Sequence, residues 1–513
     1  AASKAVLERL RDEGPALQER LTATTADMIA RINATMVELG APMKLNTFAS
    51  LWRNTFTEDL PYADLVYAML RDRGIHILDN FPCFLTTAHG EEEVEAIVAA
   101  YREAAREMQE SGFFPRRDVA VSVPDGPVRS VPTTEPQREV WLADRLGRES
   151  SLAYNESVSL HFRGELDVAA MRKAVRALPE RFDALRATFS DDGERMLIHE
   201  QAPLLEVPLC EDASQLDVII ERHVTEPFDL AEGPLVRADL VALAPNHHVL
   251  VFTGHHIVLD GWSYWVLVKD LAALYEHARG GAEPAPAPSF GDYAVAQREL
   301  RQDDNERWWI ERFADRVPQL DLPADRPRPA TRTQRAGRID HVLPAELVAN
   351  IKRTGAKAGA SLFQTLLAAF DALLQRLTGQ TDVVVGVPAA GQAAAGLEGL
   401  VGHCVSMLPL RLQLDRGDRF DELCKRMRGV MLDAYDHQEV TFGRVLQMLP
   451  IARAPSRLPL VSVAFNIDQA LSSESGLFPE MGLSFASNAR RFETFELFVN
   501  AVDEGAAGMR LET

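Results

Sequence analysis

Hydrophobic residues recur at helical spacing in the first part of the chain. Apolar positions three and four residues apart predict a helix over 15–39, between Gly14 and Gly40. "DLVYAMLRDRG" predicts a short helix, and "EEEVEAIVAAYREAAREMQ" predicts a longer one whose leading glutamates suit the positive end of a helix dipole. The apolar runs "IHIL" and "CFLTTA" predict strands. We therefore expect a small α+β domain over 1–113.

The pattern changes at about residue 130, where strands and helices alternate. "LHFRGELDVAAMRKAVRAL" predicts strand, turn and helix, while "TDVVVGV" predicts a buried strand and "FQTLLAAFDALLQRLTG" a helix capped by glycine. Residues 114–130 hold Pro, Gly and charges without periodicity, which predicts a linker. "GGAEPAPAPSF" and "PADRPRPATRT" predict loops between packed elements. The remainder of the chain is therefore expected to be α/β.

Composition narrows the class of protein. The chain has 513 residues, enough for about three domains, and its 46% hydrophobic and 25% charged residues are ordinary for a globular protein. A net charge of −21 argues against a nucleic-acid partner. Four cysteines without paired spacing suit a reducing cytosol and predict neither disulfides nor a zinc site. The chain holds no apolar run of about 18 residues, so we expect a cytoplasmic protein without a membrane partner.

Two His-His pairs lie eight residues apart in "HHVLVFTGHHIVLDGWS". The first pair, His247-His248, follows a turn signal and is interpreted as the polar end of a hairpin. The second pair, His255-His256, ends a predicted buried strand and precedes Asp260-Gly261 and an amphipathic helix. A strand end that leads through a short loop into a helix holds a reactive side chain on rigid elements.

Three interpretations compete for His256. It could be a structural core histidine, although the paired His, Asp and Gly disfavour this. It could bind a metal with Asp260, but the i,i+4 spacing would need a helix there, and no third ligand lies nearby. The third interpretation is an acyl-transfer base in an HHxxxDG loop, which the whole pattern favours.

The HHxxxDG loop and six further stretches resemble motifs of the condensation domains of nonribosomal peptide synthetases. In chain order these stretches are "TEPQREVWL", "RFDALRATF", "HHIVLDGWS", "FGDYAV", "LVGHCVSMLPLR", "DHQEVTF" and "RAPSRLPL". The second departs from the family motif at Phe182, Asp183 and Ala187, and Ser406 stands where the family usually has Asn. The resemblance covers about 130–513.

This resemblance implies a fold and a reaction. The fold is two chloramphenicol-acetyltransferase-like lobes, expected over 131–295 and 296–513, arranged as a V around a central tunnel. The family domain normally continues some tens of residues beyond "GMRLET", so we expect a truncated C-terminus. The implied reaction joins an upstream acyl carrier's thioester to the amine of a downstream aminoacyl carrier. Both substrates arrive on phosphopantetheine arms, and no bound cofactor or metal is expected.

The resemblance also assigns roles to residues of the loop. His256 is the expected catalytic residue and His255 its structural neighbour. Asp260 is expected to turn away from the tunnel and to pair with an arginine of the second motif, Arg186 or alternatively Arg181. Gly261 is expected to permit close backbone approach, and its N–H is a candidate oxyanion donor. The residues expected to line the tunnel are Trp262, Ser263, Ser406 and Asn466.

Residues 1–113 resemble a different family. "LRDRGIHILDNFPCFLTTAHGEEEVEAIVAAYREAAREM" is similar to the C-terminal small domain of class III pyridoxal-phosphate aminotransferases of hybrid polyketide–peptide synthetases. That family's catalytic lysine lies in the large domain, so the fragment is expected to be inactive alone and to need no pyridoxal phosphate here. The domain order implies a β-amino polyketide donor, with a flanking aminotransferase and an adenylation domain as neighbours.

Other functions stay open at this point. The leading alternative is an acyltransferase of the same superfamily that forms esters or uses CoA thioesters. An epimerisation domain is disfavoured only by the aminotransferase context. The non-enzymatic alternative is a platform that recruits carriers without chemistry, against which the intact HHxxxDG argues.

Overall fold

The structure, a computed structural model, divides into two compact units. The residues that it describes are 11, 13–56, 60–78, 81–114, 128–299, 303–451, 454–469 and 476–513. The first unit therefore comprises the described residues up to 114, and the second comprises those from 128 onwards.

The first unit is a small α+β domain, as its hydrophobic pattern predicts. Its elements are α1 (Pro15–Leu39), β1 (Met43–Phe48), β2 (Leu51–Phe56), α2 (Leu65–Asp72), β3 (Cys83–Phe84) and α3 (Glu91–Glu110). The three strands form an antiparallel sheet in the order β1-β2-β3. One buried cluster joins Met28 and Ile32 of α1 to Tyr67 of α2 and Tyr101 of α3. The strand predicted at "IHIL" is wrong, because those residues form no strand.

The linker expected over 114–130 falls mostly outside the described residues, which omit 115–127. The predicted end of the linker at residue 130 is corrected, because a strand already begins at Val128. Val128 opens strand β4 (Val128–Pro132), which pairs with β7 (Arg195–His199) in the second unit. Backbone pairing with β7 therefore starts before residue 131.

The second unit alternates helices and strands. Its further helices are α4 (Glu135–Asp144), α5 (Arg148–Leu152), α6 (Val168–Arg181), α7 (Leu216–Thr225), α8 (Gly261–Ala278), α9 (Phe290–Glu299), α10 (Asp303–Arg312), α11 (Ala345–Lys357), α12 (Leu362–Thr378), α13 (Gly391–Ala394), α14 (Phe420–Asp436) and α15 (Phe442–Met448). Its further strands are β5 (Asn155–Arg163), β6 (Ala187–Phe189), β8 (Leu209–Cys210), β9 (Val236–Ala244), β10 (His247–His255), β11 (Asp340–Leu343), β12 (Asp382–Ala390), β13 (Val405–Gln413), β14 (Val463–Gln469), β15 (Gly482–Ser487), β16 (Leu497–Asp503) and β17 (Met509–Glu512).

Two main sheets carry this unit, each with its own hydrophobic core. The first has the order β15-β5-β10-β9-β8. A separate three-stranded sheet has the order β4-β7-β6. The second has the order β11-β17-β16-β14-β12-β13 and contains both parallel and antiparallel pairs. Phe162 and Phe252 lie in the first core, while Phe370 and Phe465 lie in the second.

The two halves of this unit do not separate at residues 295 and 296. Strand β15 comes late in the chain, yet it pairs antiparallel with β5 along the edge of the first sheet, from Gly482 opposite Arg163 to Ser487 opposite Val158. Leu400 and Leu483 are buried in the first core as well. Backbone hydrogen bonds along β5 thus bind a late segment into the early half, which corrects the expected lobe boundary.

A buried carboxyl in the second core supports a stability prediction. Asp371 of α12 is only 1% exposed, and neither of its side-chain oxygens has a hydrogen-bond partner among the described residues. Burial raises its pKa well above the ordinary value. Because the folded state holds this proton more tightly, stability is greatest below the unfolded pKa of about 3.9 and falls as pH rises above it.

We expect Asp371→Leu to raise the free energy of unfolding at neutral pH by about 1 to 3 kcal/mol, since it removes an unpaired buried polar group. The gain should shrink as the pH falls to about 3, where the carboxyl is largely protonated in both states. Urea unfolding of both proteins across this pH range measures it. Asp371→Asn is the matched control, because it removes the pH dependence but keeps a polar group. A gain that does not change with pH would contradict the assignment.

Candidate active site

The second His-His pair lies where β10 ends and the chain turns into α8. Gly254 permits this turn, because a Cβ at that position would lie 2.2 Å from Leu259 Cδ2. The backbone N–H of His256 donates to the carbonyl of Tyr154 at 2.8 Å, which ties the loop to the segment before β5. The loop therefore holds His256 against two packed elements.

The ring of His256 has one committed nitrogen and one free to act as a base. Its Nδ1 lies 2.7 Å from the carbonyl oxygen of Leu259. A carbonyl only accepts hydrogen bonds, so this contact assigns the proton to Nδ1 in the neutral ring. Nε2 then carries the lone pair. The ring lines a cavity and its side chain is 22% exposed.

A half-buried ion pair lies beside that free nitrogen. Glu156 Oε1 is 3.8 Å from His256 Nε2 and 2.6 Å from a guanidinium nitrogen of Arg490. Arg490 also contacts Glu493 at 3.2 Å. Burial would raise the pKa of the Glu156 carboxyl, but the charge and hydrogen bond of Arg490 lower it below its ordinary value. Glu156 is therefore ionised and fixed next to the histidine.

A second imidazole packs against His256. The ring of His403 meets it edge to face with 4.6 Å between centroids, and His403 also lines the cavity. Its Nδ1 is buried without a hydrogen-bond partner among the described residues. Burial lowers the pKa of His403 well below its ordinary value. His403 is thus a neutral ring that restricts the position of His256.

Asp260 caps the helix that follows the loop. Its side chain accepts hydrogen bonds from Ser263, Gln392 and Cys404: from the amide and hydroxyl of Ser263 at 2.9 and 2.8 Å, from Gln392 Nε2 at 2.9 Å and from the amide of Cys404 at 3.0 Å. The carboxylate is fully buried. These donors come from both halves of the unit, so Asp260 joins the loop to the β12–β13 region.

The expected pairing of Asp260 with an arginine is wrong. Arg181 instead forms an ion pair with Asp270 at 2.6 Å, in the middle of α8. Arg186 donates to the carbonyls of His199 and Pro179 at 2.9 and 3.2 Å. Neutral donors already satisfy Asp260 at the start of α8, so the fold needs no guanidinium there.

His255 is fully buried, and its neighbours are structural. Its Nδ1 accepts from the amide of Ile257 at 3.3 Å, and its Nε2 lies 3.8 Å from Asp144 Oδ1. Burial lowers the pKa of His255 to about 3, which keeps the ring neutral. The first pair of histidines opens β10 at a hairpin, where His247 Nε2 lies 3.2 Å from His161 Nδ1.

The cavity beside His256 has a volume of about 2140 Å³, and residues of both halves line it. Of the residues expected there, Trp262, Ser406 and Asn466 line the wall. The Ser406 hydroxyl is buried without a partner among the described residues. The expectation for Ser263 is wrong, because its hydroxyl is buried between Asp260 at 2.8 Å and the Gly402 carbonyl at 3.1 Å. The Ser263 hydroxyl, which the sequence predicted to line the cavity, thus takes part in the cap of α8 instead.

Gly261 lines the cavity as the first residue of α8. Apart from its own helix and chain neighbours, no atom of a described residue would lie within 4 Å of a Cβ there. The close backbone approach that was expected at Gly261 is therefore wrong for this part of the chain. The absent side chain leaves open space at the cavity wall instead. Its N–H stays a candidate oxyanion donor, because amides in the first turn of a helix have no partner within the helix.

Sequence reasoning missed three residues around His256. Glu156 and Arg490 lie 334 positions apart and have no spacing that could have linked them. His403 could have been found from the sequence, because it lies inside the motif stretch "LVGHCVSMLPLR".

Among the described residues, no group of three or more His, Cys, Asp or Glu side chains could hold a metal ion. None of the described helices is long and apolar enough to cross a membrane.

Comparison with known proteins identifies clear relatives of the second unit. A family profile described as "Condensation domain" matches residues 128–512. A linear gramicidin synthase of Brevibacillus parabrevis is 38% identical over 352 residues, which cover 65% of this chain and 4% of that protein. Surfactin synthase subunit 2 of Bacillus subtilis (strain 168) is 30% identical over 410 residues, covering 79% of this chain and 11% of that protein. The chain thus spans a small part of these curated relatives.

Solved structures share the fold. The condensation domain from the monacolin K polyketide synthase MokA has a TM-score of 0.68 at 19% identity, covering 76% of this chain and 92% of that one. The X-domain from teicoplanin biosynthesis has a TM-score of 0.64 at 28% identity, covering 75% and 88%. The same X-domain is also known in a complex with OxyB.

Proposed function

Because the chain belongs to the condensation-domain family, we propose that it forms an amide bond between two carrier-bound substrates, with His256 as the base. The observation that carries this proposal is the ring of His256, whose Nε2 is free to act as a base and which lines a cavity formed by both halves of the second unit. An upstream carrier would present the acyl thioester, and a downstream carrier would present the amine. Both would arrive on phosphopantetheine arms.

The proposed reaction is direct transfer. The amine nitrogen forms a bond to the thioester carbonyl carbon, and its proton passes to His256 Nε2. The carbon–sulfur bond then breaks, and the departing donor thiolate takes the proton from His256. Positioning the amine and thioester would contribute most, about 7 to 11 kcal/mol. The general base would contribute about 10²- to 10⁴-fold.

We further propose that the two halves form the V-shaped pair of lobes of this family and that the cavity is its tunnel. The support is the cavity itself, whose wall includes Trp262 from one half and Asn466 from the other. A tunnel of this kind would admit one arm from each face. The residues that line the cavity all belong to the second unit.

Mass spectrometry of the acceptor carrier tests the main proposal. Both carriers are loaded, mixed with this chain, and the acceptor is examined for the mass of the condensed product. Product is expected only with loaded carriers. Turnover with free CoA thioesters in place of the donor carrier would favour a CoA-dependent acyltransferase, and an ester on the acceptor would favour an ester-forming enzyme.

We propose that the donor is a β-amino polyketide acyl chain of a hybrid polyketide–peptide synthetase. The support is the resemblance of residues 1–113 to an aminotransferase small domain that is inactive alone. Donor carriers loaded with β-amino acyl chains should react at least about tenfold faster than α-aminoacyl carriers, a discrimination of about 1.4 kcal/mol. Competition between the two donors, read by mass spectrometry, measures the ratio. A preference for α-aminoacyl donors would contradict the proposal.

A platform that recruits partners without chemistry is the second candidate function. The observation that favours it is 28% identity to the X-domain, which is known in a complex with OxyB. Binding of loaded carriers without any condensed product would support the platform. Product that disappears in His256→Ala would support the enzyme.

A further inference from the structure

Two hydrogen-bond acceptors face each other across a gap beside the cavity. His256 Nε2 and Glu156 Oε1 are 3.8 Å apart, which is too long for a hydrogen bond between them. Nε2 carries no proton while Nδ1 donates to Leu259, and Glu156 is an ionised carboxylate held by Arg490. Both His256 and Glu156 line the cavity. A ligand group with two donor hydrogens can therefore bridge them.

An amine nitrogen has the size for this gap. For a nitrogen about 2.9 Å from each acceptor, the angle between the two acceptors at that nitrogen is roughly 80°. Two hydrogens on one nitrogen can donate to both acceptors if each hydrogen bond bends slightly. A hydroxyl offers a single hydrogen, and a thioester oxygen offers none. The chemistry of the gap thus selects a group with two N–H donors.

We propose that Glu156 is a substrate-binding residue that, together with His256, holds the attacking nitrogen and restricts the acceptor to primary amines. This inference rests on the proposed function, whose amine substrate it defines. A neutral secondary amine has one N–H and carries a carbon where the second hydrogen would lie. It can satisfy His256 or Glu156, but not both.

The carboxylate is held well enough for this role. Glu156 lies on β5, and its main-chain carbonyl accepts from the hydroxyl of Tyr264 on α8. Its side chain is fixed by Arg490, which Glu493 holds from the other side. An ionised acceptor makes hydrogen bonds about twice as strong as a neutral one. Glu156 therefore contributes both position and charge.

The charge acts during the reaction as well as before it. When the amine attacks, its nitrogen becomes positive while the carbonyl oxygen becomes negative. Glu156 stabilises that positive nitrogen through one N–H, and His256 removes the proton of the other. The carbon–sulfur bond then breaks, and the proton leaves His256 for the departing thiolate. Atoms and charges balance without any co-reactant.

The test compares acceptors that differ by one N-methyl group. Acceptor carriers are loaded with glycine, alanine or leucine and with the N-methyl form of each, and the rate of condensed product is measured with the full chain. We expect each N-methyl acceptor to react about 10- to 100-fold more slowly than its primary counterpart. Equal rates within a pair would overturn the inference and leave the proposed function intact. A lack of product with every acceptor would instead overturn the proposed function.

Variants assign the discrimination to Glu156. Glu156→Gln should narrow the ratio between primary and N-methyl acceptors. Glu156→Met/Arg490→Met should reduce it to below about fivefold, while Glu493 keeps its hydrogen bonds from the amides of Thr494 and Phe495. Glu221→Gln is the matched control and should keep the ratio, since it alters a carboxylate paired at 2.8 Å with the next arginine, Arg491, away from the cavity wall. An unchanged ratio in a folded double variant would also overturn the inference.

Discussion

His256→Ala is expected to lower kcat for amide formation by about 10²- to 10⁴-fold without unfolding the protein. The ring lies at the cavity wall, and its one strong hydrogen bond runs from Nδ1 to the Leu259 carbonyl within the same loop. Alanine removes the base but leaves Gly254 and Asp260 to shape the turn. Product formation by mass spectrometry and the melting temperature by calorimetry measure the two effects.

His341→Ala is the control for this prediction, because His341 is exposed on β11. It should change neither quantity. Full activity in a folded His256→Ala variant would remove the basis of the proposed mechanism and leave positioning as the sole contribution. Loss of folding in that variant would make His256 a structural residue.

Asp260→Ala is expected to destabilise the protein by about 3 to 6 kcal/mol. The change removes the cap of α8 and leaves the side-chain amide of Gln392 and the backbone amide of Cys404 without their acceptor in a buried site. These donors join the loop to the second half, so loosening should spread to both cores. Chemical unfolding of the variant measures the loss.

Asp167→Ala is the matched control, since Asp167 also caps a helix by accepting from an amide, that of Ala170, at 2.9 Å. It lacks the buried partners of Asp260, so its loss should be about 1 kcal/mol. Equal losses would show that only the cap of Asp260 contributes. A stable but inactive Asp260→Ala variant would give the aspartate a chemical role instead.

Local patterns predicted most of the elements. The helical spacing in the first unit predicted α1, which runs Pro15–Leu39 as expected, and the capped apolar run predicted α12, which ends before Gly379 in a left-handed conformation. "IHIL" failed because the amide of Ile75 donates to the Leu70 carbonyl, which closes a Schellman turn after α2. The apolar run alone does not show that the backbone amide of its first residue, Ile75, is used to cap the preceding helix.

The site was predicted in part, for a physical reason. His256, Asp260 and Gly261 lie in one loop, so their spacing along the chain already carried their geometry. The partners of Asp260 are 132 and 144 residues away, and no pattern along the chain could have shown that Gln392 and Cys404 take the place of an arginine. Ser263 was misplaced because its hydroxyl points back into the cap.

Strand β15 has a practical consequence for anyone who builds chimaeric synthetases. If the polypeptide were cut between residues 295 and 296 and the pieces exchanged between enzymes, the early piece would lose strand β15. The backbone amides and carbonyls along that edge of β5 would then be unpaired. Such a surface recruits other chains and precipitates. A graft that carries 128–512 as one block keeps β15 paired with β5.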